Sequence, residues 1–448
     1  MEIRNKKISI IGAVRSGVGA AKLAKNLGAI PFVSDSGSQE KLKSSIEILK
    51  NEKIDFEIGT HSDKVFDCDL MVVSPGVPSN ANVIKDAGEK KIKIISEIEF
   101  ASLFCKANVI AITGTNGKTT TTSLCGYLFN ECGAKTYTAG NIGLAFSEIV
   151  LDAKADEYVS LEVSSFQLDL IDTFKPKVAM ILNITPDHLN RYDNSVDKYA
   201  ESKLRIFENQ NAGDYLILNK DSELLIHYFK KANSKTLFFS TTKKVSNGCY
   251  LDNQTVKFVR NDKEEFSCAV SDIFIQGEHN IQNAMAVIIA AKIFNLDNKK
   301  ILEALKSFKG VEHRLELVRE IEGIKFINDS KATNVDSVIV ALKSFDEPIM
   351  LILGGQDKGN DYSMIENLVV EKVKKIYAIG SSAEKVFNYF HKKVKTEIKK
   401  DLDEVINAAL SEARSGDVVL LSPACASFDM FDNYEHRGKV FKEIVNSK

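Results

Sequence analysis

The run VIAITGTNGKTTTTSLCGYL, Val109 to Leu128, sets two glycines, a lysine and a row of threonines between an apolar stretch and a helical pattern. Such a turn aims backbone N–H groups, one ammonium and a helix N-terminus into one small volume, and polyphosphate is the natural occupant. The spacing is shorter than that of the usual phosphate loop, G-x-x-x-x-G-K-[ST]. Counted back from Gly117-Lys118-Thr119, the first glycine falls due at Ile112 and stands instead at Gly114. Lys118 suits the β- and γ-phosphates, and the Thr119 hydroxyl suits Mg2+. A purely structural Gly-rich turn is the competing reading, disfavoured by the strand-to-helix context. The motif points to a nucleotide and says nothing of the reaction.

Mg2+ takes oxygen ligands, so acidic residues that end neighbouring strands matter next. Glu162 in SLEVSSFQL, and Asp187 and His188 in TPDHLNRY, follow β-type runs, where the active sites of parallel sheets gather. Each alone reads equally as an edge carboxylate or a locally satisfied histidine; beside a phosphate loop, metal binding is favoured. Lys203 in YAESKLRIFENQ lies on a helical pattern and reads, from the residues alone, as a solvated lysine.

The elements that must position these residues fall into three α/β blocks, on a chain of 448 residues with 44% hydrophobic content. Residues 1–100 open with KKISIIGAVRSGVGAAKLAKNLGAIPFVSDS, a strand, glycine turn, helix and strand ending at Asp35. This is a Rossmann-like nucleotide-binding start, although the dinucleotide fingerprint is incomplete: Gly12, Gly17 and Gly19 are present, but Val14 occupies the second glycine's place. Strands are expected in DLMVVSPGV (69–77) and KIISEIEF (93–100). Residues 101–308 form a P-loop ATPase-like domain whose sheet is mainly parallel, with a small antiparallel patch expected in TLFFSTTKKVSNGCYLDNQTVKFVRNDKEEFSCAV from its Asn-Gly and Asn-Asp turn signals. Residues 309–448 repeat a Rossmann-like strand–helix order, with Gly310 as the expected hinge.

Lys and Arg at 59 against Asp and Glu at 61 give a net charge of −2, which leaves no basic field for nucleic acid. No stretch approaches the roughly 18 apolar residues of a membrane span, and the basic N-terminus runs into a short strand rather than a signal peptide. Seven cysteines without a C-x-x-C pair read as free thiols of a cytoplasmic protein, and Cys425 in SPACAS reads as a packed thiol rather than a nucleophile.

GTNGKT, LEVSSFQL, NITPDHLNRY, SKLRIF, GEHNIQNAMAV and EHRLE stand in an order that resembles the Mur ligase family. In the third block NDSKATN, LGGQDKGND and LLSPACASFDMFDNYEHRG resemble the D-glutamate-adding members, while the Asp-Asn-Pro-Arg signature of the diaminopimelate-adding ones is absent. The resemblance implies an enzyme that uses ATP to join D-glutamate to UDP-N-acetylmuramoyl-L-alanine through an acyl phosphate, with two Mg2+ ions (Mn2+ as the alternative). A cytoplasmic monomer with no nucleic-acid or membrane partner is expected. It further implies that ATP is bound by Gly114, Thr115, Asn116, Gly117, Lys118, Thr119 and Thr120 with Asn280, Asn283, Arg314 and Asp329. Thr119, Glu162, His188 and Lys203 would serve the metal ions, Lys203 as a carbamate formed with CO2, and Lys331 would lie near the transferred phosphate. Lys118, His188, Lys203 and Lys331 make up the implied catalytic set. Thr333, Lys358, Ser427 and Tyr434 are implied around D-glutamate, and Ser16, Asp35, Ser36, Asn141 and Gln167 around the UDP precursor. Tyr434 stands where the resembled enzymes carry phenylalanine, and Arg15 is bulky for its loop. Two rivals stay open: a folylpolyglutamate-synthase-like ligase, which leaves the first block and NDSKATN unexplained, and a non-catalytic P-loop ATPase switch.

Overall fold

The computed structural model describes every residue except Met1, Ser79, Phe229, Lys230, Lys231, Gln276 and Lys358, and for Asn190 only the backbone. Lys358, expected at D-glutamate, therefore lies outside the described residues. Among those described, no helix is long and apolar enough to cross a membrane.

Five strands form the first sheet: β1 (Lys7–Ile11), β2 (Ile30–Asp35), β3 (Asp55–Ile58), β4 (Leu70–Val73) and β5 (Ile94–Ser96), in the order β3-β2-β1-β4-β5 and all parallel. β1 and β4 are almost continuously apolar and buried, as strands covered on both faces must be. The chain reverses its direction of winding between β1 and β4, which opens a crevice beyond their carboxyl ends. KIISEIEF, expected as one strand, is β5 followed by the helix Glu97–Ser102. The Ser96 side chain caps that helix by accepting from Glu99 N, so a serine followed three residues later by glutamate outweighed the apolar run. The Glu99 carboxylate then accepts from the N–H groups of Asp172, Thr173 and Phe174, fastening the first block to the second.

The second sheet contains β6 (Asn108–Thr113), β7 (Thr136–Gly140), β8 (Tyr158–Glu162), β9 (Val178–Ile181), β10 (Tyr215–Asn219), β11 (Lys235–Ser240), β12 (Asn247–Asp252), β13 (Thr255–Arg260) and β14 (Lys263–Ala269). Their order is β14-β13-β12-β11-β10-β9-β6-β8-β7. The antiparallel patch is smaller than the sequence suggests: β11 and β12 continue the parallel sheet from β10, and only β12, β13 and β14 pair antiparallel. Asn261 and Asp262, both at positive φ (50° and 61°), make the two-residue turn between β13 and β14. The Asn247-Gly248 signal makes no turn. Gly248 lies inside β12, where a Cβ would stand 1.9 Å from the Phe238 carbonyl oxygen of the neighbouring strand.

The third sheet is β15 (Glu316–Ile321), β16 (Ile324–Asn328), β17 (Ile349–Gly354), β18 (Val373–Ile379), β19 (Lys395–Ile398) and β20 (Val418–Leu421), ordered β15-β16-β20-β17-β18-β19. Only β15 runs antiparallel. The chain divides into two compact units, Met1–Ile273 with Ile281–Phe308, and Phe274–Asn280 with Lys309–Lys448.

Candidate active site

β6 lies between β8 and β9, so the loops leaving all three strands meet at one edge of the second sheet. After Thr113 the backbone turns into the helix Lys118–Glu131 within four residues, which needs Gly114 at φ 153° and Gly117 at φ 82°. Asn183, just after β9, clamps the loop: its Oδ1 accepts from Asn116 N (2.8 Å) and its Nδ2 donates to Asn116 O (3.1 Å). Lys118 Nζ donates to the carbonyls of Gly114 (2.8 Å) and Thr115 (2.7 Å), curling the ammonium over the loop. Thr119 and Thr120 are buried at the helix start. A Cβ on Gly117 would stand 2.5 Å from Asn283 Oδ1. Gly117→Ala should therefore weaken ATP binding by about fivefold to 150-fold while the chain stays folded, since a strained non-glycine residue costs on the order of 1–3 kcal/mol. Calorimetric titration with ATP, alongside circular dichroism, checks this; wild-type affinity would contradict it.

Glu162 ends β8 and is 2% exposed. Its Oε1 accepts from Asn141 Nδ2 (3.1 Å), and its Oε2 is buried with no partner among the described residues. An orphaned carboxylate oxygen beside a phosphate loop fits a cation. Lys203, read from the sequence as solvated, is instead 1% exposed on the helix Val196–Leu204, with Nζ donating to Gly114 O (3.0 Å) and lying over the Tyr199 ring. Burial, then the nearby Lys118 charge, drives its pKa well below the usual lysine value, against the pull of Asp187, Asp169 and Glu162. His188 takes a left-handed conformation (φ 52°), with Nε2 3.7 Å from Asp187 Oδ2 and its ring against Phe166. Burial, then the charges of Lys118, Lys203 and Arg191, hold it below the ordinary histidine value in spite of Asp187. Lys118, Glu162, His188 and Lys203 thus share one electrostatic environment.

Beyond β1 and β4 a crevice of about 580 Å3 is lined by Ser16, Asp35, Ser36 and Asn141, four of the five residues expected at the precursor. Gln167, the fifth, is absent from that lining; its Oε1 accepts from Ser164 N (2.9 Å) as a helix cap. Asp35 braces the turns, its two oxygens accepting from Ala13 N (2.6 Å) and Gly37 N (2.7 Å). Arg15 owes its bulk to a reach: its Nη2 donates to Asn141 O (3.3 Å). Asn141 therefore joins this crevice to Glu162. His61 also lines it and was not anticipated.

In the second unit a cleft of about 690 Å3 brings Asn280 and Arg314 together. Arg314 stands between His313 (φ 65°) and Leu315 (φ 43°), both left-handed, and its Nε is buried without a hydrogen-bond partner among the described residues. The turn is held by Asp329, whose Oδ1 accepts from Leu315 N (3.3 Å), and by Glu316, whose Oε2 accepts from His313 N (2.9 Å). Burial pushes the Asp329 carboxyl up to about 7, against the Ser422 hydroxyl bond and the Arg314 charge. Glu312, His313 and Glu316 have the spacing of metal ligands, but Lys442 Nζ already lies 2.8 Å from Glu312 and 2.5 Å from Glu316.

Lys331 Nζ lies 5.3 Å from the centre of the Tyr434 ring, and Thr333 N donates to Lys331 O. Ser427 is buried, and Tyr434 accepts from Ser330 Oγ through its main-chain carbonyl (2.9 Å). Arg437, missed in the sequence, gathers these loops: 1% exposed, it donates to Ser330 O (2.7 Å), Ser330 Oγ (2.9 Å) and Cys425 O (3.1 Å). Its only signal was a basic residue in a helical pattern, indistinguishable from a solvated one. Cys425 is buried among Asn360, Tyr362 and Ser382, and burial raises its thiol pKa, as a packed thiol requires.

Three family descriptions match the chain in order: MurD N-terminal domain over residues 7–83, Mur ligase middle domain over 112–291, and Mur ligase, glutamate ligase domain over 313–425. The chain is 45% identical to the UDP-N-acetylmuramoylalanine--D-glutamate ligase of Chloroherpeton thalassium, over 99% of this chain and 98% of that one. It is 42% identical to the protein of that name from Koribacter versatilis, over the same shares. The crystal structure of UDP-N-acetylmuramate-alanine ligase from Thermotoga maritima shares the fold, with TM-score 0.63 and 20% identity over 99% of each chain. Near-complete coverage at this identity, with all three domains in sequence, means that the chain belongs to the Mur ligase family.

Proposed function

We propose that this chain is an ATP-dependent ligase that adds D-glutamate to UDP-N-acetylmuramoyl-L-alanine, releasing ADP and phosphate in a cytoplasmic step of peptidoglycan precursor synthesis. The observation that carries the proposal is the near-full-length similarity to relatives named for that reaction. In this reading residues 1–100 hold the UDP end of the precursor, 101–308 hold ATP, and 309–448 hold D-glutamate, within a monomer.

The precursor's terminal carboxylate attacks the γ-phosphorus of ATP, the bond to ADP breaks, and an acyl phosphate forms. The D-glutamate amine then attacks the acyl carbon, loses a proton, and the tetrahedral adduct collapses to amide and inorganic phosphate. No enzyme nucleophile is needed. The electrostatic task is to bring anions together. Lys118 would exchange its two loop carbonyls for phosphate oxygens, and the N–H groups of Gly114 to Thr120 would cradle the rest. Lys331 would follow the transferred phosphoryl group, and Asn280, Asn283, Arg314 and Asp329 would orient the nucleotide. Thr333, Ser427 and Tyr434, with Lys358, would hold D-glutamate.

The donors beside the loop fit divalent cations: the Thr119 hydroxyl and Glu162 would hold one Mg2+, and His188 with Lys203 a second. Bound Mg2+, or Mn2+ in its place, supplies positive charge that screens the reacting anions. Lys203 suits this role as a carbamate, because its neutral amine can add CO2 and lose a proton, turning a buried cation into an anionic oxygen donor.

The test is phosphate release from ATP with UDP-N-acetylmuramoyl-L-alanine, adding D-glutamate, L-glutamate, L-alanine or meso-diaminopimelate separately, with mass spectrometry for the amide. Release and amide with D-glutamate alone are expected. Amide with another amino acid would overturn the substrate assignment, and release without amide would favour an ATPase switch.

A further inference from the structure

His61 lines the first-block crevice, and three groups behind it decide which of its nitrogens carries hydrogen. β2 and β3 place Ser34 directly opposite Glu57, and the fully buried Ser34 hydroxyl lies 2.7 Å from Glu57 Oε1, 3.3 Å from Thr60 O and 2.7 Å from His61 Nδ1. Glu57 also accepts from Ser62 N (2.9 Å) and Ser62 Oγ (2.5 Å). Burial works to raise the Glu57 carboxyl, but hydrogen bonds from Ser62 and Ser34 and the nearby His61 leave it below its ordinary range, so it is an acceptor-only carboxylate. A hydroxyl has one hydrogen to give. The short contact to a carboxylate claims it ahead of the long one to the Thr60 carbonyl. The Ser34 oxygen must then accept from His61, which places that ring's hydrogen on Nδ1. Among the described residues Nε2 has no partner, and in the neutral ring it is a bare acceptor.

The crevice has a direction. On one side Asn141 reaches Glu162 beside the phosphate loop, where the reacting carboxylate must lie. On the other side are Asp35, Ser36 and His61, at or beyond the ends of β2 and β3. A substrate that reacts at the first side presents its far end, the nucleoside, to the second. Asp35 has its oxygens turned to Ala13 and Gly37. We infer that His61, held in the Nδ1-protonated form by the Ser34–Glu57 relay, is the specificity-determining residue that accepts a hydrogen bond from a donor on the substrate's nucleoside. This rests on the reading of the crevice as the precursor's nucleotide site. The same geometry disfavours a base that presents an acceptor there, because two lone pairs would face each other.

Two sources of the donor are chemically equivalent, the imide N–H of uracil and a ribose hydroxyl. The experiment uses the full-length enzyme with D-glutamate and ATP saturating, comparing wild type with His61→Phe on the UDP precursor, its N3-methyluracil analogue and its ribose-deoxy analogues. His61→Phe should raise KM for the normal precursor about tenfold at unchanged kcat, the effect of one lost hydrogen bond. One analogue should cost wild type a similar factor and the variant nothing more, which identifies the donor. Equal penalties in both enzymes for every analogue, or an unchanged KM in His61→Phe, would overturn the inference.

A second readout separates this from a merely structural histidine. Selective 15N-histidine labelling, with the His61 signal assigned by its loss in His61→Phe, should show a protonated Nδ1 and an unprotonated Nε2 at neutral pH. Ser34→Ala should abolish that preference. A protonated Nε2 with bare Nδ1 in the wild type would also overturn it. The wild-type product assay stands apart: amide formed there, with His61 showing none of these effects, sinks the His61 assignment alone, whereas no amide in the wild type sinks the ligase reading itself.

Discussion

Replacing Lys203 by alanine should lower kcat at least about a hundredfold to a thousandfold, the size of effect expected when a group that stabilises developing charge is removed. The argument starts from burial. Lys203 is 1% exposed, its Nζ donates to the Gly114 carbonyl, and burial with the Lys118 charge disfavours its ammonium form. A lysine kept only to pair with an acid would face a carboxylate; this one faces a loop carbonyl and another cation. In the proposed reading its neutral amine takes up CO2, and the carbamate would give a cation beside the loop an anionic oxygen ligand, as the orphaned Glu162 oxygen would. Short carboxylic acids such as acetate should restore part of the lost activity, and the wild type should slow in CO2-depleted buffer where Lys203→Ala does not respond. Thermal melts of both proteins separate lost folding from lost chemistry. Wild-type kcat in a folded Lys203→Ala would remove the assignment.

Lys118→Met should cost still more, about a thousandfold in kcat/KM, because it withdraws the loop's own ammonium, which lies curled over the loop carbonyls of Gly114 and Thr115. A second consequence follows from the shared electrostatics. The Lys118 charge pushes both Lys203 and His188 downward, so its removal must move both pKa values up. A higher Lys203 pKa leaves less neutral amine at a given pH, and less carbamate at a given CO2. Titration of His188 by NMR in the variant should therefore shift upward, and the variant should need a higher pH or more CO2 to reach its residual maximum. An unmoved His188 would mean that the three residues do not form one site.

The phosphate loop was legible because its constraints are local. Gly114 and Gly117 must take positive φ, Lys118 and Thr119 must open a helix, and each leaves a mark in sequence spacing. The parallel strands were legible because burial on both faces demands continuous apolar runs, as in β4 and β9. Edge strands were missed for the converse reason: β15 (ELVREI) and β19 (KTEI) face solvent and read as polar connections, and the helix Leu402–Glu412 beyond β19 went unseen with it. Lys203 shows where residue-level reasoning fails altogether. Its helix is polar enough to look solvated, and only the loop packed over it, brought from about ninety positions earlier in the chain, makes it a buried base. His61 and Arg437 share that property. The Ser34 and Glu57 that set one, and the Ser330 and Cys425 carbonyls that hold the other, are neighbours only after the sheets form.

The most direct measurement is isotope transfer. UDP-N-acetylmuramoyl-L-alanine labelled with 18O in its terminal carboxylate is incubated with ATP, D-glutamate and the enzyme, and phosphate and product are weighed by mass spectrometry. Attack of the carboxylate on the γ-phosphorus, followed by amine attack at carbon, must leave one labelled oxygen on inorganic phosphate for every D-glutamyl amide made. Phosphate carrying 18O in step with amide is the predicted result. Unlabelled phosphate, with or without amide, would contradict the account.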